Sequence, residues 1–148
     1  MTTHSFTFQV IGLPAPQGSK RHVGRGIMVE SSKAVQPWRQ DVKYAAERSL
    51  PSDWDPSKPM AVSVVFRFKR PQGHYGTGRN AGQLKASAPS HAVSARLGDI
   101  EKLVRSTHDA LIGIAFDDDR QVVDLICQKR YTVGDEPMGA TISITQLS

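Results

Sequence analysis

Phe6, Phe8 and Val10 alternate with polar residues near the start of the chain, so residues 5–11 predict a β-strand. The segment GLPAPQGSKRHVGRG, residues 12–26, interrupts that pattern with glycine, proline and basic residues and predicts a loop. A short strand is expected over Ile27 to Glu30. Ser31 or Ser32 then suits the cap of a helix that gathers Val35, Trp38, Val42, Ala45 and Ala46 on one face and stops by Pro51. Met60 to Lys69, MAVSVVFRFK, has the β-branched and aromatic content of a strand. From 70 to 96 no apolar period is visible, and a stretch of that length reads as one long flexible loop, of the kind that is either functional or disordered. Helical spacing returns with Ile100, Leu103, Val104, Thr107 and Leu111, with Asp99 at the N-cap and Gly113 as the C-terminal stop. Residues 121–133 and GATISITQL (139–147), joined by VGDEPMG, supply the last strands.

The chain has 148 residues, enough for one domain with a real core, and no repeat or linker divides it. No run is long enough to cross a membrane, and MTTHSFTFQV lacks the features of a secretory signal. Cys127 is the only cysteine, so no internal disulfide can form and a cytoplasmic setting is expected. The five histidines, His4, His22, His74, His91 and His108, show no ligand-like spacing, which argues against zinc. A phosphate-binding GxxxxGK[ST] loop is absent too, since HYGTGRNAG (74–82) lacks the lysine; this speaks against an enzyme acting on free nucleotides.

Charge changes the picture. The net charge of +5 conceals a division, with fourteen Lys/Arg against five Asp/Glu in residues 1–98 and five against nine in 99–148. A basic body is the footprint of a polyanion binder, because each cation that meets a phosphate releases counterions. Within Leu97–Asp124 stand seven carboxylates. Close pairs of them repel by roughly 1–4 kcal/mol, so they spread into solvent or share a divalent cation. Singly, each has a plain structural explanation. Asp99 can cap a helix, Glu101 and Arg105 can form an i,i+4 pair, and Asp117–Asp119 can be a solvated turn. Asp124 interrupts the apolar strand VVDLIC, where a buried carboxylate needs a partner or a metal. A protein that only binds DNA gains nothing from carboxylates near phosphates, whereas a metal-dependent nuclease requires them.

DIEKLVRSTHDAL followed by DDRQVVD and Lys129 resembles the core motif of the RusA-type Holliday junction resolvases, a family common in phages and prophages. Asp99 falls on the family's first aspartate and Glu101 on its second. Arg105 replaces a basic residue that is typically lysine, Asp109-Ala110-Leu111 matches the family triplet, and Asp118 and Asp119 match the acidic pair ahead of Gln121-Val122-Val123. The strand followed by GLPAPQGSKR is also similar to phage members, so the likeness covers most of the chain. Two departures stand out. Glu101 is one methylene longer than aspartate, which matters for an octahedral Mg²⁺ site with oxygens at about 2.0–2.1 Å. Arg105 offers a planar fork in place of a compact ammonium, a charge that Lys102 could supply instead.

The resemblance implies an α+β fold, a mixed sheet with helices mainly on one face, assembled as a homodimer whose two sites nick opposed strands of a two-fold-symmetric junction. It also implies Mg²⁺-dependent cleavage, with Mn²⁺ as a possible substitute, of four-way or branched DNA to 5′-phosphate and 3′-hydroxyl ends. Asp99, Glu101 and Asp119 would hold the metal, Asp118 would assist, and Arg105 would offset transition-state charge. Lys20, Arg21, Arg25, Arg79, Lys85, Lys102 and Lys129 are the candidate DNA contacts. The competing reading is a branched-DNA binder whose metal site is weakened by the Glu101 and Arg105 changes.

Overall fold

The computed structural model describes residues 4–18, 20–22, 28–30 and 33–148, with 20–22 and 28–30 given by their backbone. Strand β1 (His4–Ile11) is followed by the small antiparallel pair β2 (Lys20–His22) and β3 (Met28–Glu30), then helix α1 (Val35–Ser49) and strand β4 (Met60–Phe68). Helix α2 (Ile100–Leu111) and strands β5 (Val122–Tyr131) and β6 (Gly139–Gln146) complete the chain. The main sheet has the order β1-β6-β4-β5. β6 runs antiparallel to both β1 and β4, while β5 lies parallel to β4 at the edge. The mixed sheet with two helices is the α+β arrangement expected.

Alternation decides which face is covered. Phe6, Phe8, Val10, Val62, Val64, Phe66, Ala140, Ile142 and Ile144 are buried together with Trp38, Val42 and Ala46 of α1 and Leu103, Ala110 and Leu111 of α2. The intervening Ser5, Thr7, Gln9, Ser63, Thr141 and Ser143 are exposed or half-buried, so the other face of the sheet is small and polar. Between the helices, Trp38 Nε1 donates to Thr107 Oγ1 at 3.1 Å, and Thr107 Oγ1 donates to the Leu103 carbonyl. Trp38 is fully buried. Trp38→Ala is therefore expected to lower the unfolding free energy by about 3–5 kcal/mol in a urea titration.

Three expectations are corrected. The first helix has Ala34 at its N-cap with no side-chain cap and begins at Val35; Ser31 and Ser32 lie outside the described residues. The cause is Pro37. Had the helix begun at Lys33, Pro37 would occupy an interior position whose missing N–H and ring both conflict with the carbonyl four residues back. Starting at Val35 puts it in the first turn, where neither matters.

Asp124 is exposed rather than buried. Met60 pairs with Val122, but Ala61 pairs with Asp124, and this bulge leaves Val123 as the extra residue. Val122 accordingly packs toward the core while Asp124 turns to the outer face, which an unbroken alternation would not allow. The third correction is β2, which lies within residues 12–26, expected to be a loop. The segment 70–96 connects β4 to α2. It contains short 3₁₀ turns at Gln72–His74, Gly78–Asn80 and Ala95–Leu97 and bridges pairing Tyr75 with Leu84 and Gly76 with Ala81. The Arg70 guanidinium lies 4.3 Å from the Tyr131 ring centre and donates to the Pro89 carbonyl at 2.7 Å.

The β4–α2–β5 connection explains where the chemistry lies. Parallel strands require a crossover, so α2 runs back against both strands. Its first residue sits at their C-terminal end and its last at their N-terminal end.

Candidate active site

Asp99 stands immediately before α2, at the C-terminal end of β5. The link between these two is direct, because Lys129 Nζ donates to the Gly98 carbonyl at 2.8 Å. Asp99 occupies the N-cap position in extended conformation, yet its carboxylate makes no capping hydrogen bond. Asp99 and Glu101 are both exposed, and Glu101 and Arg105 are not ion-paired with each other. Neither the cap nor the ion pair is therefore formed, and two carboxylates stand within one turn.

The other two acidic candidates are at the far end. The Asp117 amide donates to the Pro56 carbonyl at 3.2 Å, and Gln121 Nε2 donates to the carbonyls of Pro56 and Lys58, just before β4. Asp118 accepts from the Arg120 amide at 2.9 Å, while Gln121 Oε1 accepts from the amides of Asp117 and Asp118. This capping box gives Asp118 a structural task, and the bond from Arg120 lowers its pKa. Asp119 opens the same turn and is exposed. Near it, His108 of α2 is buried, which pushes its pKa down against the opposing pull of Asp119 and Asp109.

The run from Val122 to Lys129 spans roughly 23 Å at about 3.3 Å per residue. One chain thus carries Asp99 and Glu101 at one end of α2 and Asp118 and Asp119 at the other. No group of three or more His, Cys, Asp or Glu side chains is placed to hold a metal ion among the described residues. Mg²⁺ is commonly held by one or two carboxylates plus substrate phosphate oxygens, and the exposed Asp99–Glu101 pair fits that role.

Two basic segments of the chain adjoin the Asp99 end of α2. The Gln17 amide donates to the Lys102 carbonyl at 2.9 Å, and Ser106 Oγ donates to the Ala15 carbonyl at 2.6 Å. The basic N-terminal segment therefore leaves from beside the first turns of α2, with Lys20 and Arg21 on β2; Arg25 lies outside the described residues. The 70–96 segment leaves β4 at this same end and returns to Gly98, bringing exposed Arg79 and Lys85 with it. Arg105 is exposed one turn beyond Glu101.

Other contacts support the helix. Arg39 of α1 pairs with Asp109 at 3.2 Å and also donates to Gln17, while Ala110 and Leu111 are fully buried. The Asp109-Ala110-Leu111 triplet thus fastens α2 to α1 and to the N-terminal loop. Arg130 and Glu136 form a two-pronged pair at 2.7 and 2.8 Å, which holds the Glu136 carboxyl down at about 2.

A one-sided mixed sheet, with acidic pairs at the two ends of the helix that crosses it, defines an α+β protein. The family model of the RusA endodeoxyribonucleases matches residues 12–145, and the chain belongs to that family. Endonucleolytic action on Holliday junctions is the function this membership supports. None of the curated proteins compared with the chain matches it. No helix among the described residues is long and apolar enough to cross a membrane.

Proposed function

We propose that the protein is a divalent-metal-dependent endonuclease that resolves four-way or branched DNA by paired nicks, acting as a two-fold homodimer joined along β5. The observation that carries this reading is the division of the carboxylates between opposite ends of an exposed apolar edge strand. Edge strands are commonly protected by lysine, proline or brevity. β5 instead exposes Val123, Leu125 and Ile126, at 66%, 42% and 68%. A two-fold axis through such an edge pairs the strands antiparallel. That arrangement sets Asp118 and Asp119 of the second copy beside Asp99 and Glu101 of the first, twice over.

In each of these joint sites Asp99, Glu101 and the second copy's Asp119 would hold Mg²⁺, or Mn²⁺ in its place, with Asp118 in support. A cation held there would supply Lewis acidity, lowering the pKa of a bound water and polarising the phosphoryl oxygen. Arg105 offsets the charge that grows on the phosphate, and Lys102 supplies the compact ammonium that Arg105 lacks. Lys20, Arg21, Arg25, Arg79 and Lys85 contact the DNA backbone around the site. Hydrolysis leaves 5′-phosphate and 3′-hydroxyl ends. A protein of this kind would work in the cytoplasm of a bacterial host.

The test is cleavage of a synthetic mobile four-way junction, beside linear duplex, in Mg²⁺ and then Mn²⁺. Paired, ligatable nicks confined to the junction are expected, and Asp119→Asn is expected to abolish them. Tight junction binding in EDTA, with no cleavage in either metal, would establish the binder reading instead. The Glu101 and Arg105 changes are what favour that second reading.

A further inference from the structure

Lys129 is a cation of β5 that a solvent-facing edge strand would be expected to hold out in water as a guard. It is turned inward instead. Its Nζ is 2.8 Å from the carbonyl of Gly98, the residue that precedes Asp99. Gly98 has φ +88°, and a Cβ at that position would meet Pro16 at 2.5 Å. The peptide before Asp99 is therefore gripped from two sides, by the Pro16 ring and by the Lys129 ammonium. The Gln17 amide, one residue after Pro16, holds the Lys102 carbonyl in the next turn. Asp99 itself adds nothing to this hold, since its carboxylate forms no cap.

We infer that Lys129 is a positioning residue, which fixes the Gly98 peptide so that the Asp99 carboxylate is presented to the metal, and that it is not a DNA phosphate contact. The inference rests on the reading of Asp99 as a metal ligand. Groups that orient a ligand from behind alter metal affinity by about 10–100-fold when removed. A group that neutralises a phosphate changes the salt dependence of DNA binding by about one unit of slope. The two roles therefore leave different marks.

Wild type, Lys129→Met, Lys129→Arg and Asp99→Asn are compared as full-length proteins in three measurements. The first is junction affinity against salt in EDTA, where Lys129→Met is expected to keep the wild-type slope. The second is the Mg²⁺ concentration for half-maximal cleavage, expected to rise about 10-fold in Lys129→Met, with Lys129→Arg intermediate. The third is amide exchange over residues 98–101, expected to quicken in Lys129→Met without change elsewhere in α2. A slope lowered by about one, with unchanged Mg²⁺ dependence, overturns the inference in favour of a phosphate contact. Wild-type exchange and wild-type Mg²⁺ dependence in Lys129→Met overturn it as well, leaving an idle lysine. If wild type cleaves in neither metal, or Asp99→Asn cleaves like wild type, the reading of the site fails first and the positioning role falls with it.

Discussion

Mixed protomers of Asp99→Asn and Asp119→Asn are expected to nick junctions that neither variant cleaves alone. Each substitution keeps the side-chain shape and removes one charged oxygen donor. Either variant alone places a damaged ligand in both sites of its homodimer. A mixed dimer in which each site draws on both chains has one site with both defects and one with none. Random mixing makes half the dimers mixed, so about a quarter of the sites are intact. Those sites cut one strand each, giving single nicks rather than paired resolution. If all ligands came from one chain, every site in the mixed dimer would keep a defect and the mixture would stay dead. Nicked and resolved products are distinguishable on a denaturing and a native gel, so the result also separates loss of ligands from loss of junction binding.

Ile126→Asp is expected to yield a folded monomer that has lost paired cleavage. Ile126 is 68% exposed in the single chain, so the substitution removes little burial and its effect on folding should stay within about 0.5 kcal/mol. Across a two-fold axis near the middle of β5, however, the change sets two carboxylates against each other in place of two apolar side chains. Loss of that contact with added like-charge repulsion is expected to weaken dimerisation at least about 100-fold, a change of about 2.7 kcal/mol. Sedimentation should show the monomer and a urea titration should show unchanged stability. Cleavage should then fall in parallel with the dimer population. A dimer that survives Ile126→Asp would place the seam elsewhere and remove the basis for the joint site.

Why the sequence led so far toward the site, and no further, is visible in particular residues. The spacing of Leu103, Val104, Thr107 and Leu111 depends only on the helical repeat, and the end at Gly113, with φ +86°, depends only on a residue free to take that angle. Both were readable locally. Asp99 was placed at the helix start by the same logic, although its carboxylate proved unused as a cap. The acidic run at 117–119 looked close to Asp99 because the chain distance is short. A crossover helix between parallel strands carries its two ends apart, and nothing in the spacing of carboxylates reports that direction.

Asp124 shows the same limit at smaller scale. The apolar run around it is plain, but the bulge at Val123, which turns Asp124 outward, arises in the pairing with Met60 and Ala61, residues some sixty positions away. Lys129 is another instance. As a lysine on a strand it reads as a surface charge, and only the return of the chain at Gly98 gives its ammonium a carbonyl to hold.

The sequence by itself therefore determined the main elements though not all their bounds, the covered face of the sheet, the basic and acidic division and the family. Each of these depends on periodicity, composition or a motif that neighbouring residues carry among themselves. Tertiary structure alone decided that β5 is an exposed edge, that the carboxylates lie at opposite ends of α2, and which cation holds the Gly98 carbonyl. Those facts depend on which distant segments pair and in which direction, and long-range pairing is written in no local stretch of the chain.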